Sequence, residues 1–221
     1  MPPLPRLLIF MLIVIFLVSL VQIGLIGTAF DKLGLSAESG YLLLLCTLAG
    51  SLINLPLFSL SAVSAPKMQE PKMGPPAHWM FYRLPAGSGR VVVLANVGGA
   101  VVPVAFSLYL IAHYPLNPFD IAIAVAVVTA IARRFSFQIP GIGIGIPMLL
   151  APIAAALVAT ALDPLQRAPL AYIAGTLGVL IGADLLGLGG IRKQGATFAI
   201  IGGAGTFDGV FLTGLVAVLL A

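Results

Sequence analysis

Two of the seven carboxylates in this chain stand inside apolar runs, where a charge is expensive. Asp184 lies in LIGADLLG, Leu180–Gly187, and Asp208 in GTFDG, Gly205–Gly209. A carboxylate in such surroundings must face protein or water, and it points to a functional site. Two carboxylates held close together share one proton. One then activates water while the other, protonated, polarises a peptide carbonyl. Asp184 and Asp208 are therefore the candidate catalytic pair of an intramembrane aspartyl protease acting on a transmembrane peptide. A second reading makes Asp208 alone the proton or cation site of a transporter or channel. Its polar neighbours would be Asn96, Thr206 and Thr213, with Gly205 and Gly209 flanking the acid. A third reading is a membrane assembly subunit without chemistry. The other acids, Asp31, Glu38, Glu70, Asp120 and Asp163, fall in loops or at segment ends and read as solvated or interfacial.

The elements that would hold these acids follow from composition. Of 221 residues, 60% are hydrophobic and 8% charged, and the mean hydropathy is +1.15. Soluble domains carry about a quarter charged residues. The expectation is an all-α, polytopic helical bundle forming one transmembrane domain over 1–221, in a prokaryotic inner membrane. Seven apolar segments approach the roughly 20 residues of a span: Leu7–Phe30, Tyr41–Ser64, Val91–Tyr114, Phe119–Ala132, Gly143–Leu162, Pro169–Leu188 and Ala196–Ala221. The first is too long for a signal-peptide core and reads as a retained helix. With the N-terminus inside, nine basic residues fall in inner segments: Arg6, Lys67, Lys72, Arg83, Arg90, Arg133, Arg134, Arg192 and Lys193. Only Lys32 and Arg167 fall outside. Cytoplasmic loops collect such charge, so the expected topology is N-in and C-out. The net charge of +4 then calls for no nucleic acid. The bilayer is the expected partner, with a transmembrane peptide or small ion as ligand; oligomeric state is left open.

The longest inner loop, 65–90, holds five prolines, so a long helix is not expected there. Its HWMFYR stretch, His78–Arg83, suits a headgroup anchor or a cover over a cytoplasmic opening. His78 has no clustered ligand in sequence, so no metal is expected. Nothing calls for an organic cofactor. Cys46 reads as a small buried hydrophobe.

Depth leaves the pairing of the two acids open. Asp184 would lie about 6 Å from the inner end of the sixth segment. Asp208 would lie about 18 Å deep if the seventh begins at Ala196, and about 10 Å deep if it begins near Ile201. Gly175, Gly178 and Gly182 share one helix face, and at about 100° per residue Asp184 points away from it. NVGGAVVP, Asn96–Pro103, and IPGIGIGIP, Ile139–Pro147, suit either close packing or broken helices beside a polar cavity.

GTLGVLIGADLL at Gly175–Leu186 and IGGAGTFDGVFLTGLVAVLLA at Ile201–Ala221, with NVGGAVVP and PGIGIGIP before them, resemble a family of small prokaryotic integral membrane proteins, DUF1614. The resemblance runs from Asn96 onward. It implies membrane location and prokaryotic origin, and no activity. The layout of two aspartates on neighbouring helices is also similar to that of presenilin-type intramembrane proteases, whose second aspartate sits in a GxGD motif. Here Thr206 and Phe207 separate Gly205 from Asp208. No tyrosine precedes Asp184, and APIAAAL at Ala151–Leu157 stands where a Pro-Ala-Leu motif would be sought.

Overall fold

The computed structural model describes residues 11–16, 19, 24–61, 90–139, 143–193, 198–203 and 209–221. After helical residues at 11–16 come helices α1 (Leu25–Lys32) and α2 (Ala37–Gly50). Strand β1 (Asn54–Ser61) and strand β2 (Arg90–Asn96) follow. A π-turn (Val97–Val101) leads from β2 into α3 (Val102–His113), and then comes α4 (Pro118–Phe135). The β3–β4 hairpin (Phe137–Ile139, Gly143–Gly145) precedes α5 (Leu150–Leu162) and α6 (Arg167–Val179). A second π-turn (Leu180–Leu185) extends α6 towards the short α7 (Leu188–Lys193), and β5 (Phe198–Ile201) and α8 (Gly209–Leu220) complete the order.

The sheet explains why an unbroken apolar run need not be a helix. β2 opens on the β-branched run Val91-Val92-Val93, which favours extended chain. It is the central strand of the order β1-β2-β5, antiparallel to β1 and parallel to β5. A strand covered on both faces reads as continuously hydrophobic, and Val91, Val93, Leu94 and Ala95 are all buried. Pro56 sits in the edge strand β1 beside a register shift, where a missing N–H costs least.

Helix α6 is the centre of the helical layer. Its residues Ala168–Thr176 are buried without exception, and it packs on α4, α5 and α8. Small residues make this closeness feasible. Ala124, Val128 and Ala132 recur every fourth residue along the buried side of α4. A Cβ on Gly178 would lie 2.6 Å from Val128 Cβ, so the two backbones approach to a distance that only glycine permits. At its start α4 takes Pro118 in the first turn, and the Asn117 side chain accepts from Phe119 N at 3.0 Å, a favoured way to open a helix.

The seven-span bundle does not survive this architecture. Among the described residues, one helix is long and apolar enough to cross a membrane: Arg167–Gly190. Of its apolar window 72% is buried inside the fold, as befits a core helix. The bent pair Leu25–Lys32 and Ala37–Gly50, broken by 107°, would raise the number to two if taken as one span. The physical reason is that four of the seven apolar runs contain strands. Tyr41–Ser64 divides into α2 and β1, and Val91–Tyr114 opens as β2. Gly143–Leu162 contains β4, and Ala196–Ala221 contains β5. The N-in, C-out topology, the multi-pass inner-membrane location and the bilayer as partner rested on that span count and fall with it. Cys46, expected to be buried, is exposed. The loop at 65–89, with His78 and the aromatic cluster, lies outside the described residues.

Candidate functional site

The candidate site is built where two parallel strands end. β2 and β5 run in register from Val92↔Phe198 to Ala95↔Ile201. Each is followed by a pair of glycines, Gly98-Gly99 and Gly202-Gly203, and further on by a helix. Gly202 and Gly203 have φ of +80° and +91°, a left-handed backbone that glycine adopts without strain. A Cβ on Gly202 would lie 2.6 Å from Gly99 C and from Ala100 N. The turn after β5 therefore rests directly on the π-turn after β2.

Asn96 locks the first of these junctions. Its Oδ1 accepts from Gly99 N at 2.8 Å, and its Nδ2 donates to Ser51 O at 2.8 Å and to Asn54 Oδ1 at 3.0 Å. The residue is 1% exposed. With both amide protons and one acceptor site occupied, Asn96 is a cap tying α2, β1 and the π-turn together.

Asp184 reaches the second junction. It sits in the π-turn at the end of α6, where Leu186 N donates to Ile181 O at 2.9 Å in the wider i→i+5 pattern. Such turns interrupt helices most often at functional sites. Asp184 Oδ2 accepts from Gly202 N at 2.7 Å, a charge-assisted bond. The side chain is partly buried, between buried Ala183 and exposed Leu185. Burial pushes its carboxyl up to about 6, and the Gly202 N–H works in the opposite direction.

The structure joins Asp184 to Gly202, and Gly202 to the Asn96-capped turn. It joins Asp184 to no second acid among the described residues, and the presenilin-like protease, which needed a multi-span bundle, is withdrawn. Asp208, Thr206 and Gly205 lie outside the described residues. Gly209 opens α8, and Thr213 stands partly buried one turn further along. The transporter and the membrane-subunit readings lose their multi-span scaffold. Among the described residues no group of three His, Cys, Asp or Glu could hold a metal ion. Sequence reasoning does not mark Gly202 as the partner of Asp184. The left-handed glycine pair directly after an apolar strand is the signal that would have marked it.

No curated protein and no solved structure matches the chain. A family model does, that of "Protein of unknown function (DUF1614)", over residues 48–220. That span contains the whole sheet, both π-turns and Asp184, and on it the chain belongs to the DUF1614 family.

Proposed function

We propose that this protein is a binding protein for a small molecule bearing an amino or amidino group, with Asp184 as the group that takes the ligand. The observation that carries this reading is the Asp184 Oδ2 to Gly202 N hydrogen bond at 2.7 Å. It holds a carboxylate at the carboxyl end of the parallel β2–β5 pair, the edge of a parallel sheet where ligands bind. One backbone N–H fixes the carboxylate, and a carboxylate has about four acceptor sites. Its remaining capacity suits a donor that also carries positive charge. The apolar surroundings disfavour the bare ion, and a cationic ligand would offset that cost.

The test is isothermal titration of the purified chain with primary alkylamines and alkylamidines. Saturable binding is expected, weakened at least 10-fold by Asp184→Asn, which keeps the shape and loses the charge. Affinity should fall as pH drops through about 6, because the proton competes for the carboxylate. Equal affinity in wild type and Asp184→Asn, or no binding by wild type, would refute the assignment.

A further inference from the structure

Beside the second π-turn, α4 and α6 flank a groove of about 1100 Å³, just above the roughly 300–1,000 Å³ of small-molecule pockets. Ile121, Val125, Thr129 and Arg133 line it from α4, and Leu177 and Ile181 from α6 and the second π-turn. The spacing of four along α4 is one continuous helix face. From residue 121 to residue 134 that face is about 20 Å long.

The groove has a direction. Arg133 and Arg134 both line it at the carboxyl end of α4. Neither has an ion-pair partner among the described residues; Arg134 lies over the Phe135 ring at 5.7 Å. Asp120 stands in the first turn, at the opposite end of the helix. One turn before Arg133, the hydroxyl of Thr129 is buried and has no hydrogen-bond partner among the described residues. Aliphatic walls with two cations at one end together specify an occupant.

The geometry points to a single-chain amphiphile with an anionic head: a free long-chain carboxylate lying along α4, its head at Arg133 and Arg134 and its tail towards Ile121. Both arginines also oppose the negative end of the helix dipole. A loss of stability on their substitution would therefore not distinguish the two roles, and the experiment must read ligand binding.

Delipidated protein is titrated with radiolabelled palmitate, with hexadecanol and hexadecyltrimethylammonium as competitors. One palmitate per chain is expected. The alcohol should compete at least 10-fold more weakly than unlabelled palmitate, and the cationic amphiphile should not compete. Arg133→Glu with Arg134→Glu should weaken binding at least 10-fold. Ala126→Trp, at an exposed lining position, should block the tail without touching the head site or the core. The proposal is overturned if the charge reversal leaves palmitate affinity unchanged. It is equally overturned if all three amphiphiles compete alike, which is adventitious hydrophobic binding, or if Ala126→Trp binds as wild type does.

Discussion

Asp184 and Gly202 are 18 residues apart in the chain, and the carboxylate of the one accepts the backbone N–H of the other at 2.7 Å. This bond ties the end of the central helix to the turn leaving β5. It is the point where the helical layer and the sheet meet through a titratable group, so both stability and pH response should pass through it.

Stability should depend on pH through Asp184. Its carboxyl is raised from 3.8 to about 6 in the folded chain, so the folded state holds the proton more tightly than the unfolded state. The destabilising cost of the ion is fully present above about 6, shrinks as pH falls, and is gone below about 4. The expected size is roughly 1–3 kcal/mol. Urea unfolding of wild type and Asp184→Asn across pH 4–8 reads it. Wild type should gain on the variant as pH falls through that window, and a difference that stays constant with pH would contradict the assignment.

Gly202→Ala should be strongly destabilising. The left-handed φ costs an alanine about 1–2 kcal/mol, and the added methyl would press on Gly99 and Ala100 backbone atoms 2.6 Å away. A loss of at least about 2 kcal/mol is expected. Gly189→Ala is the control, because a Cβ there meets nothing within 4 Å. In an exposed helical position that change should be neutral or stabilise by up to about 1 kcal/mol. Similar losses at both sites would mean that the turn at Gly202 is not packed as described.

How much of this was legible in the sequence depends on the residue. Asp184 could be found because an acid in an apolar run is conspicuous whatever the fold. Its partner could not, because hydrogen bonding to a backbone N–H leaves no side-chain signature. The fold was misjudged for a related reason. Val91-Val92-Val93 and Phe198–Ile201 are as hydrophobic as helix, and a doubly covered strand has no polar alternation to give it away. The β-branched run at 91–93 and the glycine pair after Ile201 were the available cues to strands. Thr129 and Arg133, four apart on α4, were legible as one helix face. That the face forms a groove depends on how α6 packs beside it.

Glycines within α6 should separate by contact distance. A Cβ on Gly175 would sit 3.5 Å from Ala155, Ala217 and Gly214, ordinary van der Waals contact. Gly175→Ala should therefore be tolerated and should recover some helix propensity, up to about 1 kcal/mol. Gly178→Ala would press on Val128 at 2.6 Å and should cost about 1–3 kcal/mol by overpacking. Thermal or chemical denaturation of the pair checks the order. Its reversal would show that α4 and α6 are not in the register described.

Tyr172 supplies the last expectation. Its ring is fully buried in α6, edge-on to Phe106 with centroids 5.0 Å apart and to Phe211 at 6.5 Å. Its hydroxyl and that of Thr176, one turn on, are both buried; the Thr176 side chain acts on the phenol as a weak hydrogen-bond partner, though neither oxygen reaches the geometry of a well-formed bond among the described residues. The ring should therefore stabilise the core while the hydroxyl does not. Tyr172→Phe keeps both aromatic contacts and removes a buried, weakly paired polar atom, so it should leave stability unchanged or raise it by about 1 kcal/mol. Tyr172→Leu loses the aromatic geometry and leaves a void, and should cost about 1–3 kcal/mol. Urea midpoints at constant slope give both values. If Tyr172→Phe instead loses more than about 1 kcal/mol, the hydroxyl makes a full hydrogen bond in the folded chain, with Thr176 as its partner.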